Sequence, residues 1–157
     1  MRRLDNKTIV LGIGNNGRQD DGLGWKFLDF LKTENTGFDL EYRYQLQIED
    51  AELISNYDRV IFVDATKEST ENGFYFEPCR PSKKYSFSTH ALEPQTILYL
   101  SKQLYDHNPK AYILAIQGYD WELMIGLSDK GNQNLNKTKQ HFLDKILVSY
   151  LSEQKNY

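Results

Sequence analysis

The apolar positions of the chain follow two alternating spacings. Thr8-Ile-Val-Leu-Gly-Ile-Gly14, Arg59-Val-Ile-Phe-Val-Asp64 and Lys110–Gln117 are short, nearly continuous apolar runs rich in β-branched residues. Runs of this length between polar or glycine-rich stretches predict buried strands of a parallel sheet. Phe38–Gln45, with partial alternation, and Gly73–Glu77, entered from Glu71-Asn72-Gly73, predict further strands. Between the strands the spacing turns helical. Leu23, Phe27, Leu28 and Leu31 predict a helix from about Asp21, and Ile48–Ser55 predicts a short one. Ile97, Leu98, Leu100, Leu104 and Tyr105 share one side of a helix over Pro94–Tyr105. Leu143, Ile146, Leu147, Tyr150 and Leu151 form the stripe of a closing helix over Asn134–Ser152. Strands that alternate with helices predict the α/β class with a mostly parallel sheet. No repeat, low-complexity tract or linker interrupts the pattern, and 157 residues suit a single domain over 1–157. Gln117–Asn132 is long for a connection in such a domain. It is a candidate functional loop or, equally, a surface excursion that packs Trp121 and Met124 onto the body.

Composition narrows the function classes. Hydrophobic residues make up 39% of the chain, enough for a packed interior. The net charge of -3 and pI near 5.6 argue against non-specific nucleic-acid binding, which needs a basic face. The apolar runs, such as Arg59–Ala65, are too short to span a bilayer. The basic start Met1–Lys7 leads into a strand rather than an apolar h-region, so no signal peptide is expected. Cys79 is the only cysteine, which suits a cytoplasmic protein without disulfides.

Gly12-Ile-Gly14-Asn15-Asn16-Gly17 matches the G-x-G-x-x-G pattern after a strand, and Glu41 stands roughly where a ribose-binding acid would be sought. A dinucleotide-binding protein is therefore a competing reading. Against it, Arg18-Gln19-Asp20-Asp21-Gly22 separates the glycines from the helix. Aspartates at a helix N-terminus suit the helix dipole but repel a phosphate there. One aspartate suffices to cap the helix, which leaves the second facing the loop side of the sheet.

Open α/β sheets build their sites beyond the carboxyl ends of the strands. Asp21 follows the first strand, Asp64 ends the Val60–Val63 run, and His90 precedes the Pro94 helix. Two carboxylates and an imidazole supply O, O and N ligands suited to Zn, Ni, Mn or Fe, with a coordination position left open. Asp64 also reads as a turn cap, and His90 as a hydrogen-bonded junction residue. His107 lies in a turn and His141 on the exposed part of the last helix; neither carries a special role. Cys79 has Arg80 beside it, which can lower a thiol pKa, but no matched base, and reads as a bystander.

Four segments in order carry a resemblance: Val10-Leu-Gly-Ile-Gly-Asn15, Arg18-Gln-Asp-Asp-Gly-Leu-Gly24, Val60-Ile-Phe-Val-Asp-Ala65 and Ser88-Thr-His-Ala-Leu-Glu-Pro94. With a late Gly126-Leu-Ser128, they resemble the hydrogenase maturation endopeptidase family over about the whole chain. The resemblance implies a three-layer α/β/α fold around a five-stranded, mostly parallel sheet. It implies an aspartic-type endopeptidase activity that removes a C-terminal peptide from the nickel-loaded precursor of a nickel–iron hydrogenase large subunit. It maps the metal-grasping and catalytic residues onto Asp21, Asp64 and His90, with nickel supplied by the substrate and other divalent metals able to substitute in vitro. It implies a cytoplasmic monomer whose partner is that precursor, with no nucleic acid or membrane involved. A non-catalytic maturation factor that binds metal or precursor through the same cluster is the alternative within this reading. Asn15 is expected to order the loop or meet substrate backbone. Gln19 replaces a small residue common before the acid pair, and Glu93 stands where serine is common after His-Ala-Leu. The basic tract Pro78–Lys84 is either a solvated loop or a dock for an acidic precursor surface.

Overall fold

Ile9 and Leu11 bury to one side of the first strand and Val10 to the other, and the same alternation recurs in Val60, Phe62 against Ile61, Val63. A strand with apolar residues on both faces needs cover on both, and this requirement sets the architecture. The computed structural model describes residues 7–83 and 92–149. In it, β1 (Thr8–Ile13), β2 (Asp39–Arg43), β3 (Arg59–Thr66), β4 (Phe74–Pro78) and β5 (Lys110–Gln117) form one sheet in the order β2-β1-β3-β5-β4. All neighbours are parallel except β4, which pairs antiparallel with β5 at the edge. The sheet is therefore five-stranded and mostly parallel, as the resemblance implied.

Helices α1 (Leu23–Thr33) and α4 (Asp129–His141) cover one face, and α2 (Glu49–Ile54) and α3 (Pro94–Tyr105) the other. On the first face Phe27, Leu28 and Phe142 close over Val10, Ile61 and Leu114. On the second, Ile54, Ile97 and Leu98 close over Ile9, Leu11 and Phe62. Each fully buried side chain of this size stabilises the fold by about 1.5–3 kcal/mol. No helix among the described residues is long and apolar enough to cross a membrane.

The closing helix departs from the sequence expectation. It starts at Asp129, five residues before the expected Asn134, where the Ser128 hydroxyl accepts the Gly131 N–H at 3.0 Å. Its first turn is polar and carries Gly131, so apolar periodicity does not reveal it. It continues as a π-helical turn over Phe142–Leu147, and this turn buries Phe142 rather than Leu143. Tyr150 and Leu151 lie outside the described residues. His141 is half-buried, its ring 5.1 Å from that of Phe74.

Gly24 sets how closely α1 lies on the sheet. A Cβ there would stand 2.6 Å from the Val63 carbonyl oxygen and 2.8 Å from that of Ile13. Both obstacles are backbone, so the helix must move. Gly24→Ala is expected to destabilise the protein by about 1–3 kcal/mol, as overpacking does. Urea unfolding measures this, and an unchanged midpoint would show that the seam has slack.

Candidate active site

The carboxyl ends of β1, β3 and β5 meet at one rim, and Asp21 and Asp64 both line a cleft of about 370 Å³ there. Arg18, Ala65, Lys67 and Trp121 complete its walls. Lys67 Nζ lies over the Trp121 ring at 5.2 Å. The structure thus places two of the three expected ligands in one cleft. Among the described residues no group of three His, Cys, Asp or Glu is arranged to hold a metal. The third expected ligand, His90, lies outside the described residues.

Asp20 and Asp21 are neighbours with opposite fates. Asp20 is fully buried. Its carboxylate accepts the backbone N–H groups of Tyr119 at 2.7 Å, Asp120 at 3.1 Å and Ser128 at 2.8 Å, and the Ser128 hydroxyl at 2.6 Å. Its own N–H donates to the Asp120 carbonyl at 3.0 Å. Burial alone would push this carboxyl up, but the bonds from Ser128, Tyr119 and Asp120 outweigh it and hold it below the usual carboxylate value. A side chain at Gly131 would strike the same carboxylate, its Cβ only 2.6 Å from an oxygen. Asp20 is thus a clamp on the loop after β5, and it caps neither the turn it sits in nor α1.

Among the described residues Asp21 accepts one bond, from the Asn15 N–H at 2.8 Å. The 3-10 turn Gln19–Gly22 presents it to the cleft while Asp20 points inward. Gly14, at φ +143°, lets β1 end against this turn, since a Cβ there would lie 1.9 Å from the Asp21 carbonyl oxygen. Asn15 is a turn residue: its side-chain oxygen accepts the Gly17 N–H at 2.8 Å.

Asp64 ends up worse solvated than Asp21. It keeps some surface in the cleft but is crowded by protein atoms, and it accepts one backbone N–H, from Ala65 at 2.8 Å. Burial pushes its carboxyl up to about 7, that single N–H works against the shift, and the Asp21 charge adds to it. A group in this state is poised to take a proton or a cation.

Gln19 is a contact that sequence reasoning missed. It adopts φ +48°, its N–H donates to the Met124 carbonyl at 2.9 Å, and its side-chain oxygen accepts the Glu122 N–H at 2.9 Å. Its departure from the small residue of the resembled pattern is what lets it grip the loop. The other candidates fall away from the site. Glu41 pairs with Arg43 at 3.2 Å, and the Asn15 and Gly17 N–H groups are engaged by Asp21 and by Asn15 itself, so the glycine loop offers no phosphate cradle. Cys79 is buried, and burial pushes its thiol up to about 12; Arg80 does not lower it. His107 bonds through its ring to the Tyr57 carbonyl. Pro78–Pro81 line a hollow with Lys102 and Lys110 near the start of β5, at the end of the sheet opposite the cleft.

The architecture superposes on known structures over nearly its full length. A crystal structure of a NiFe hydrogenase maturation protease, HycI from Thermococcus kodakarensis KOD1, matches with TM-score 0.70 and 21% identity over 91% of this chain and 93% of that one. The hydrogenase maturating endopeptidase HybD from E. coli matches with TM-score 0.69 and 18% identity, again over 91% and 93%. A solution structure of an endopeptidase from Escherichia coli matches with TM-score 0.70 and 18% identity over 95% and 94%. This chain has the fold of the hydrogenase maturation proteases. No family model matches it, and no curated protein matches its sequence. A fold hosts many chemistries, so what this maturation-protease fold does here has to be argued from its rim.

Two measurements check the different states of the acids. Asp20→Ala strands the loop N–H groups it accepts and is expected to cost about 3 kcal/mol or more at neutral pH, read by urea unfolding. A loss below about 0.5 kcal/mol would show that water replaces the clamp. Asp64 has the opposite sign. Its folded-state value lies above the ordinary carboxylate value, so its contribution to stability is complete below that ordinary value and is lost as pH rises through about 7. Metal-free Asp64→Asn is expected to be the more stable protein at about pH 8, by on the order of a few kcal/mol, and to converge with the parent near about pH 4. A constant difference across that range would contradict the shifted carboxyl.

Proposed function

We propose that this chain is an endopeptidase that removes a C-terminal peptide from the nickel-loaded precursor of a nickel–iron hydrogenase large subunit. In this reading Asp21, Asp64 and His90 grasp the metal that the precursor carries. The carrying observation is the pair of carboxylates in one small cleft, one of them pushed up to about 7 with a single hydrogen-bond donor among the described residues. Such a pair suits a divalent cation, which neutralises two charges that otherwise repel. The chain enters α3 from the same rim: Leu92 bridges Leu46, just past the carboxyl end of β2. The names of the superposed proteins, hydrogenase maturation proteases and a maturating endopeptidase, agree with the reading.

The residues of this chain then have separate tasks. Asp21 and Asp64 bind the precursor's metal and so fix the position of the peptide next to it. Ala65 N–H keeps one Asp64 oxygen oriented and leaves the other for the cleft. Trp121 and the stem of Lys67 wall the cleft against water. A divalent ion held there polarises a nearby carbonyl or acidifies a water. The reading places this work in the cytoplasm, on a monomer and within one domain.

The test is a single-turnover assay with nickel-loaded precursor. The parent protein should shorten it by one defined C-terminal peptide, and Asp21→Asn, Asp64→Asn and His90→Ala should each slow this by on the order of 10²-fold or more, since a misplaced scissile bond costs that much. A parent that binds the precursor without cutting it would leave a maturation factor in place of an enzyme. Normal cleavage by Asp64→Asn or His90→Ala would remove the ligand assignment.

A further inference from the structure

The loop after β5 holds three consecutive large apolar side chains in solvent: Leu123 is 76% exposed, Met124 59% and Ile125 84%. Single exposed apolar residues are ordinary, but a contiguous group marks a contact surface. The distribution adds to this. Of nine exposed large hydrophobic residues among the described ones, six follow the carboxyl ends of strands: Tyr44, Ile48, Tyr119, Leu123, Met124 and Ile125.

The loop is not a slack excursion. The Asp20 carboxylate holds it at both ends, through Tyr119 and Asp120 on one side and Ser128 on the other. Gln19 holds its middle through Glu122 N–H and the Met124 carbonyl. Two polar side chains are thus committed to keeping an apolar tip outward. The tip is also continuous with the cleft, because Trp121, two residues before Leu123, forms part of the cleft wall. At about 370 Å³ the cleft is near the lower end for small-ligand pockets, so a protein chain lying in it must run out onto the rim.

We propose that Trp121–Ile125 is the surface on which an apolar segment of the protein substrate docks beside the Asp21–Asp64 cleft. This rests on the endopeptidase reading for the identity of the substrate. Charge selects the kind of segment. Between Gly118 and Ser128 the loop carries Asp120 and Glu122 and no Lys or Arg. Lys67 over the Trp121 ring and Lys130 over the Tyr119 ring balance these two acids, so the strip offers no strong charge of one sign, and an apolar segment with neutral neighbours fits it.

The experiment uses the full chain and immobilised nickel-loaded precursor, with binding read by interferometry and cleavage read separately. Leu123→Ser/Ile125→Ser should weaken binding about ten- to a hundredfold, since two large apolar contacts are lost. Its melting temperature should stay near the parent's, because both side chains are already in solvent. Leu104→Ser, which alters another exposed apolar residue, at the end of α3, is the control and should bind like the parent. Equal binding by the double variant, no binding by the parent, or a dimer in sedimentation that the double variant abolishes would each overturn the docking surface. Strip-dependent binding without cleavage would overturn the enzyme reading and leave the surface standing. Cleavage with strip-independent binding would do the reverse.

Discussion

A single buried carboxylate organises the cleft end of this molecule. Asp20 joins elements about a hundred residues apart in sequence: the turn after β1, the start of the loop after β5, and the cap of α4. Buried charge is tolerable only when every lone pair is used, and here four donors surround it. Its lie against Gly131, in the first turn of α4, also places negative charge at a helix N-terminus, where the dipole favours it. With Asp20 committed inward, the 3-10 turn presents Asp21 outward. The clamp therefore shapes the loop, seats α4 and aims the first carboxylate of the cleft.

The two acids that matter most are solvated in opposite ways. Asp20 has four donors, enough to outweigh its burial and hold it below the usual carboxylate value. Among the described residues Asp64 has one, with another acid nearby. Among the described residues the fold gives four donors to the structural acid and one backbone N–H to each cleft acid. In the proposed reading the cleft receives a cation, and a site that does so is not also fully satisfied without one.

Much of the fold is legible because its strands are buried on both faces. β1, β3 and β5 start where the apolar runs start, since a central parallel strand leaves little room for polar residues. The start of α4 is not legible, because its first turn is set by Ser128, Asp20 and Gly131 rather than by apolar spacing. The site divides in the same way. Asp64 is readable as an acid that ends an apolar run, and one aspartate of the 20–21 pair as spare. The partner of the other is not readable: Asp20 looks like a local cap, yet its bonds go to residues 119–128. Gln19 reads as a mere departure from a pattern until its grip on Glu122 and Met124 is seen.

The same contacts bear on whether the rim takes a dinucleotide or, as proposed, a protein. A dinucleotide site needs free backbone N–H groups at a helix N-terminus, and here the loop's own Asn15 and Asp21 take those at Gly17 and Asn15. The first two glycines of the motif are explained instead by close approach, Gly12 against Leu28 and the Gly24 carbonyl and Gly14 against the Asp21 carbonyl. What remains at the rim is a small cleft holding two carboxylates, with Arg18 and Lys67 in its walls and an apolar shelf held beside it. A free metal ion would need the cleft but not the shelf, and a small apolar ligand the shelf but not the acids. A cation carried by a protein uses both, so the rim as a whole argues for a macromolecular substrate more strongly than either half does.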